Sequence, residues 1–116
     1  MTAGGMQAKS VAFAVRIVTV CAGLSRSAKA RSVAERCRQH GTSIGTLLRE
    51  ADQAGSKADA ALFLMAALKA ADDTDYCLEL LRDSGALEPS VYSSLKAELV
   101  DLSSYLAQSV NLSDQQ

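Results

Sequence analysis

Apolar residues recur every three or four positions along most of the chain, which is the spacing of a helix with one buried face. The pattern is clearest between residues 36 and 81, where two long helices meet at the polar turn Ala54-Gly55-Ser56. The apolar side of the first consists of Val33, Cys37, Ile44, Leu48 and Ala51. The matching positions of the second are Phe63, Ala67, Ala70, Thr74, Cys77 and Leu81. This spacing predicts helices packed nearly antiparallel in a bundle.

The same periodicity predicts two further helices and no strand. The four predicted helices cover approximately residues 9–24, 28–53, 57–83 and 89–109. We therefore expect an all-α, antiparallel up-down four-helix bundle. Its single domain would span residues 9–109, with a disordered N-terminus at 1–8 and a polar C-terminal tail at 110–116.

Each predicted helix has an assignable inward face. The expected inward residues of helix one are Val11, Ala14, Val15, Val18 and either Cys21 or Ala22. Helix three carries a second stripe of Leu64, Leu68, Ala71 and Leu78, so it should contact two partners. The apolar edge of helix four consists of Val91, Leu95, Leu99, Leu102 and Leu106.

Residues with known end preferences mark most of the helix boundaries. Ser25 or Ser27 is expected to cap helix two, and Ser56 to cap helix three. Asp59 would then lie beside the positive end of helix three. The pair Ser84-Gly85 ends that helix, and Pro89 opens helix four at its first position.

Two glycines lie four residues apart inside helix two. Each of Gly41 and Gly45 costs about 1 kcal/mol of helix stability relative to alanine. The usual compensation is the close approach of another helix backbone. The alternative is a break or kink of helix two at this point.

The composition suggests a core of small side chains. Of the 116 residues 48% are hydrophobic, yet only 4% are aromatic and none is tryptophan. Because small side chains bury little area each, partner subunits are expected to complete the burial. The net charge is +6 over residues 1–57 and −7 over 58–116. Such opposite halves can attract each other between subunits, or they can simply be solvated helix faces of mixed sign.

No arrangement of residues indicates a catalytic, metal or cofactor site. The three widely spaced cysteines are typical of small buried side chains in a reducing cytoplasm. His40 is the only histidine, and neither a di-iron nor a zinc ligand set accompanies it. The apolar stretch of helix one is interrupted by Arg16 and is too short to span a membrane, so we expect a cytoplasmic protein without a membrane contact.

Two polar groupings remain as candidate sites. Five cations with one nearby carboxylate, Glu35, mark the start of helix two and can contact nucleic-acid phosphates: Arg26, Lys29, Arg31, Arg36 and Arg38. No aromatic residues alternate with them, so base stacking is not expected. A second set is expected where helices two and three meet, either as a structural ion-pair and capping network or as contacts between subunits. It consists of Arg49, Glu50, Lys57, Lys69 and Asp72.

The central stretch resembles the bacterial four-helix-bundle family of the 23S rRNA intervening-sequence protein. The matching residues, which we take as the family motif and structural positions, are Ser43, Ile44, Arg49, Glu50, Ala51, Ser56, Lys57, Ala58, Asp59, Ala67, Leu68, Lys69, Thr74, Tyr76, Leu78, Leu80 and Leu81. Helices one and four fit in length and order. Thr46, Ala60, Ala70 and Cys77 depart from the pattern, which has asparagine, phenylalanine, glutamate and tryptophan there.

The resemblance implies a non-enzymatic antiparallel bundle that assembles as a homopentamer. A related branch consists of accessory proteins of diversity-generating retroelements, which bind nucleic acid and a reverse transcriptase. The first functional hypothesis is therefore an assembly protein that binds RNA or DNA through its basic helix. The second is an accessory subunit with a protein partner such as a reverse transcriptase. The third is a degenerate helical ribonuclease of the HEPN class, since only three residues separate Arg36 from His40 where that class has four to six.

Overall fold

The protein is a bundle of four helices in the computed structural model, which describes residues 3–114. The helices are α1 (Ala3–Leu24), α2 (Arg31–Asp52), α3 (Lys57–Asp83) and α4 (Pro89–Asp114). The molecule measures 46 × 21 × 20 Å, and its length matches that of a single long helix at about 1.5 Å per residue. The predicted all-α fold is confirmed.

The helices lie around a square in chain order. α1 packs mainly on α2, α2 on α3 and α3 on α4, while α1 and α4 contact each other only lightly. Because the connections are short, neighbours in the chain run antiparallel. Within the described residues α1 does not pack on α3, so these two helices occupy opposite corners.

Most of the predicted helix ends coincide with the structural ones. The Ser56 hydroxyl accepts a hydrogen bond from the Asp59 amide at 3.1 Å and caps α3. Gly85, with φ of 84°, ends α3 in a left-handed conformation, which glycine adopts without steric cost. Pro89 is the first residue of α4. The expected serine cap of α2 is wrong, because the capping position is Ala30 and no side chain caps it.

The outer helices are longer than their apolar patterns indicate. α1 begins at Ala3 and buries Met6, so residues 3–8 belong to the helix. α4 continues to Asp114, through most of the expected polar tail. The remaining terminal positions, 1, 2, 115 and 116, lie outside the described residues.

The inward face of α1 differs from the expected one. Its buried residues are Met6, Ser10, Phe13, Ile17 and Cys21. Of the expected set only Cys21 is buried, whereas Val11, Val15 and Val18 are exposed. α1 carries two apolar stripes. The stripe with the larger side chains, Phe13 and Ile17, faces the core.

Gly41 and Gly45 bring α2 close to α1. A Cβ atom on Gly41 would lie 3.0 Å from Cγ2 of the fully buried Ile17, and one on Gly45 would lie 3.1 Å from Oγ of Ser10. The α2 helix is continuous through both glycines, so no break or kink compensates for them. The close approach occurs inside one chain.

Three ion pairs attach α4 to its neighbours. Arg16 of α1 bonds Glu98 at 2.7 Å and donates a further hydrogen bond to Ser94 at 3.0 Å. Lys9 lies 3.7 Å from Asp101. Lys96 bonds Asp75 of α3 at 2.5 Å, and this hydrogen bond raises the pKa of the lysine. The light α1–α4 contact thus includes two ion pairs.

α1 is long and apolar enough, by length and composition, to be a candidate membrane span. The segment Gly4–Leu24 has 21 residues and a mean hydropathy of 1.3, which corrects the expectation that this stretch is too short. Core helices of soluble proteins and signal sequences also meet this criterion, so it is weak evidence by itself. Lys9 and Arg16 lie in this segment and pair with α4.

A leucine at Gly41 should destabilise the bundle. The added side chain would overlap Ile17, which is enclosed on all sides, and overpacking of this kind costs about 1–3 kcal/mol. We expect Gly41→Leu to lower the urea midpoint of unfolding. Gly23→Leu is the matched control, since nothing lies within 4 Å of its Cβ position. Equal stabilities of the two variants would contradict the close contact.

Candidate functional site

A groove runs along the surface between α1 and α2. It has a volume of about 340 Å³, roughly ten times that of one water molecule at about 30 Å³. Its main lining residues are Val11, Ala14, Val15 and Val18 of α1 with Gly45 and Thr46 of α2. We call this surface the α1–α2 groove.

The α1 side of the groove is an exposed apolar stripe. Val11, Val15 and Val18 are 45%, 60% and 44% exposed and follow one another at intervals of four and three residues. This is the stripe that the sequence assigned to the core. The sequence does indicate that one apolar stripe of α1 is left exposed. The helix is apolar on two sides, and one neighbouring helix buries only one of them.

The α2 side of the groove is shallow and mildly polar. Gly45 has no side chain, and Thr42 and Thr46 have short ones, so the floor lies close to the helix backbone. Arg49 closes one end, and its side chain makes no ion pair within residues 3–114. An apolar group in the groove therefore lies between the valines of α1 and the short side chains of α2, with a cation beside it.

The predicted phosphate-binding cations lie at one end of the bundle, around the α1–α2 connection and the start of α2. We call this set the basic corner: Arg26, Lys29, Arg31, Arg36 and Arg38. Two of its members already have partners. Arg31 donates to the Ser25 carbonyl at 3.0 Å, and Arg38 forms an ion pair with Glu35. This pair lowers the pKa of Glu35 through the hydrogen bond from Arg38.

The other three cations of the basic corner are available to a ligand. Arg26, Lys29 and Arg36 are exposed. Their side chains have no hydrogen-bond or ion-pair partner in the part of the chain that the structure describes. The first turn of α2 also contains no acidic residue. The corner is thus a surface where an anion meets uncompensated positive charge.

The ion-pair network expected at the α2–α3 turn is replaced by a smaller cluster further along. Lys69 bonds Asp73 at 2.9 Å, and His40 Nδ1 lies 3.9 Å from the same carboxylate. The hydrogen bond from Lys69 is the main cause of the lowered pKa of Asp73. Among the described residues no ion pair includes Arg49, Glu50 or Asp72, so the structure does not bring the predicted set together.

The remaining motif residues occupy structural positions. Ile44 and Thr74 are fully buried, and the Thr74 hydroxyl donates to the Ala70 carbonyl at 2.7 Å. Ser43 donates to the His40 carbonyl at 2.8 Å, one turn earlier in α2. Tyr76 is 57% exposed on α3. Hydroxyls bonded within their own helix do not point to a ligand.

The four positions that depart from the family pattern lie in different environments. Thr46 borders the α1–α2 groove, and Ala60 borders a separate cavity of about 150 Å³ beside Leu48. Ala70 and Cys77 are buried in the core. Two of the four small side chains therefore leave surface concavities, and two are enclosed by helix packing.

The cysteines are core residues. Cys21, Cys37 and Cys77 are reduced and buried. Cys37 donates a hydrogen bond to Cys21, which raises the pKa of Cys37 and lowers that of Cys21. Burial raises the pKa of Cys37 and of Cys77 as well. A neutral thiol, as the raised pKa favours at Cys37 and Cys77, is a poor nucleophile and metal ligand. Within residues 3–114 no group of three metal-binding side chains occurs.

These features define the protein as an all-α bundle with an apolar groove and a basic corner. Comparison with family models shows that the chain belongs to the 23S rRNA-intervening sequence protein family, whose model matches residues 6–108. The resemblance inferred from the central motif is thereby confirmed. A comparison with curated proteins gives no match.

A solved relative has the same fold. It is a protein of unknown function from the S23 ribosomal protein family of Bacteroides thetaiotaomicron, with 35% sequence identity. The TM-score is 0.86, and the match covers 90% of this chain and 97% of the relative. The likeness therefore extends over nearly the whole bundle, including both helices of the groove.

The His40 cluster generates a test of the ribonuclease hypothesis. His40 and Asp73 are each about one-third exposed, at 36%, and no second histidine exists to share acid and base roles. We expect purified protein and His40→Ala to leave a single-stranded RNA equally intact on a denaturing gel. Cleavage by the wild type that is lost in His40→Ala would contradict this expectation.

Proposed function

We propose that this chain is a non-enzymatic cytoplasmic protein that acts as a homo-oligomer. The observation that carries the proposal is the exposed apolar stripe of α1. Val11, Val15 and Val18 form a continuous apolar surface along the groove, which is a feature of protein–protein contact sites. A second copy that covered the stripe would remove its side chains from water, at a gain of about 25 cal/mol per Å² of apolar area.

The composition of the core supports the same proposal. Most of the buried side chains are alanine, leucine and cysteine, and Phe13 is the only fully buried large aromatic residue among those described. A core of this kind buries limited area inside one chain of 12.2 kDa. Association extends the buried surface without enlarging the bundle. The family resemblance favours a pentamer as the form of this oligomer.

The proposed oligomer can be tested by measuring the mass of the protein in solution and by a variant that should reduce this mass to that of one chain. At micromolar concentration we expect light scattering after size exclusion to give a multiple of the 12.2 kDa chain mass, with five copies as the expected number. Val15→Glu places a charge in the groove and should give a folded monomer, because burying an unpaired charge is costly. Its 60% exposure means that the fold itself tolerates the change.

A conservative variant is the control for this experiment. Val15→Ile keeps the groove apolar and should retain the wild-type mass. Far-UV circular dichroism should show the same helix content for all three proteins. A wild-type protein that is monomeric at micromolar concentration would contradict the proposal.

A second candidate function, binding of nucleic acid, rests on the free cations of the basic corner. Arg26, Lys29 and Arg36 can each contact a phosphate without first breaking an internal ion pair. One copy presents only a small patch, but an oligomer presents several at fixed spacing, and avidity multiplies a weak affinity. Binding of this kind is directed to the backbone and does not depend on base sequence.

The dependence on salt tests nucleic-acid binding. Each phosphate contact releases a condensed counterion, so affinity for RNA or DNA should fall steeply as salt rises. We expect Arg26→Gln with Lys29→Gln to weaken binding and to flatten the logarithmic salt slope by about two units, one per lost contact. Fluorescence anisotropy at several salt concentrations measures this.

The control removes the same number of charges from the opposite end of the bundle. Lys9→Gln with Lys57→Gln should leave the salt slope close to that of the wild type. Equal effects of the two double variants would show that only net charge matters. Without any binding at low salt, a protein partner such as a reverse transcriptase becomes the proposed ligand of the corner.

A further inference from the structure

A second exposed apolar surface lies on α3. Leu62 and Met65 are 65% and 53% exposed and lie on the same side of the helix, three residues apart. Ala58 and Ala66 are exposed beside them. We call this surface the α3 face. Because α3 does not pack on α1 and occupies the opposite corner of the square, the α3 face is separate from the α1–α2 groove.

The two surfaces lie at the same level along the bundle. Gly45, in the groove, packs against Ser10 of α1. One turn further along α2, Leu48 borders the same cavity as Leu64 of α3. Leu62 and Met65 flank Leu64, so they lie within about one helical turn of the groove's level. Copies related by rotation about an axis parallel to the bundle can therefore bring a groove and an α3 face together without an axial shift.

The charges of the two sides are opposite. A cation, Arg49, closes the groove, and a carboxylate lies one turn before Leu62 on α3. Contact between a groove and an α3 face pairs opposite charges, whereas two grooves or two α3 faces would pair like charges. Arg49 ends the groove and Asp59 precedes Leu62 by one turn, and neither has an ion-pair partner within residues 3–114.

We propose that the α3 face of one copy docks in the α1–α2 groove of the next, so that the chain associates head to tail. This inference rests on the proposed self-association and specifies its geometry. Leu62 and Met65 then lie in the groove, between the valines of α1 and the threonines of α2. A head-to-tail contact leaves one free groove and one free face at the two ends of any open chain, and closure into a ring covers both.

Two single variants and their mixture test this geometry. Val15→Glu disables the groove and keeps the α3 face, while Leu62→Glu disables the α3 face and keeps the groove. Each alone should be monomeric in light scattering. Mixed in equal amounts they should form a dimer of twice the 12.2 kDa chain mass, because one intact groove then meets one intact face. Val100→Glu, at an exposed apolar site on α4, should keep the wild-type mass.

The alternatives give different masses. Association of groove with groove would leave Leu62→Glu at the wild-type mass, and association of two α3 faces would leave Val15→Glu unchanged. Either result overturns the head-to-tail geometry but leaves self-association standing. A monomeric wild type overturns self-association itself. If that monomer also sediments with phosphatidylcholine vesicles, the stripe of α1 binds a membrane instead.

A charge swap is a second test, and it does not depend on whether Val15→Glu and Leu62→Glu fold properly. Arg49→Glu and Asp59→Arg should each lower the fraction of oligomer at a fixed protein concentration. The two changes combined in one chain should restore it, because every head-to-tail contact then has the pair reversed. A combined variant that associates less than both single variants would overturn the proposed contact.

Discussion

The close contact of α2 with α1 at Gly41 and Gly45 determines how the rest of the bundle is arranged. Ile17 fills the space that a side chain at position 41 would take, and this fixes the rotation of α1 about its own axis. With Ile17 and Phe13 directed inward, the valines at 11, 15 and 18 must face outward. The groove is thus a direct result of the missing side chains on α2.

The sequence predicted the four helices and their order but not the rotation of α1. For α2 and α4 a single apolar stripe exists, and the buried residues Ile44, Leu48, Leu95 and Leu102 follow it. α1 has two stripes of similar hydrophobicity, so periodicity alone does not separate them. The choice depends on shape, since the larger side chains fit the space beside the glycines. The residues that decide which stripe of α1 is buried, Gly41 and Gly45, therefore lie in α2.

The sequence predicted which charged residues form the polar sites, but it did not predict which groups their side chains bond. The sequence identifies the five cations near the start of α2, yet it does not show that Arg38 is paired with Glu35 or that Arg31 bonds a backbone carbonyl. It also grouped Lys69 with Arg49, although Lys69 bonds Asp73 instead. Long side chains have many neighbours within reach, and only the helix rotations decide among them. Exposed faces, such as that of Leu62 and Met65, are likewise visible only once the core has been assigned.

The uncapped start of α2 has a consequence for how this end of the bundle responds to ions. The first backbone amides of a helix carry a partial positive charge and normally receive an oxygen acceptor. Here the capping residue is Ala30, the first turn lacks a carboxylate, and Lys29 and Arg31 add like charge. This end is therefore electrostatically unfavourable in the isolated chain. Dissolved anions relieve the repulsion, so the first turn of α2 should become more ordered as ionic strength rises, in contrast to the ion-paired surface between α1 and α4.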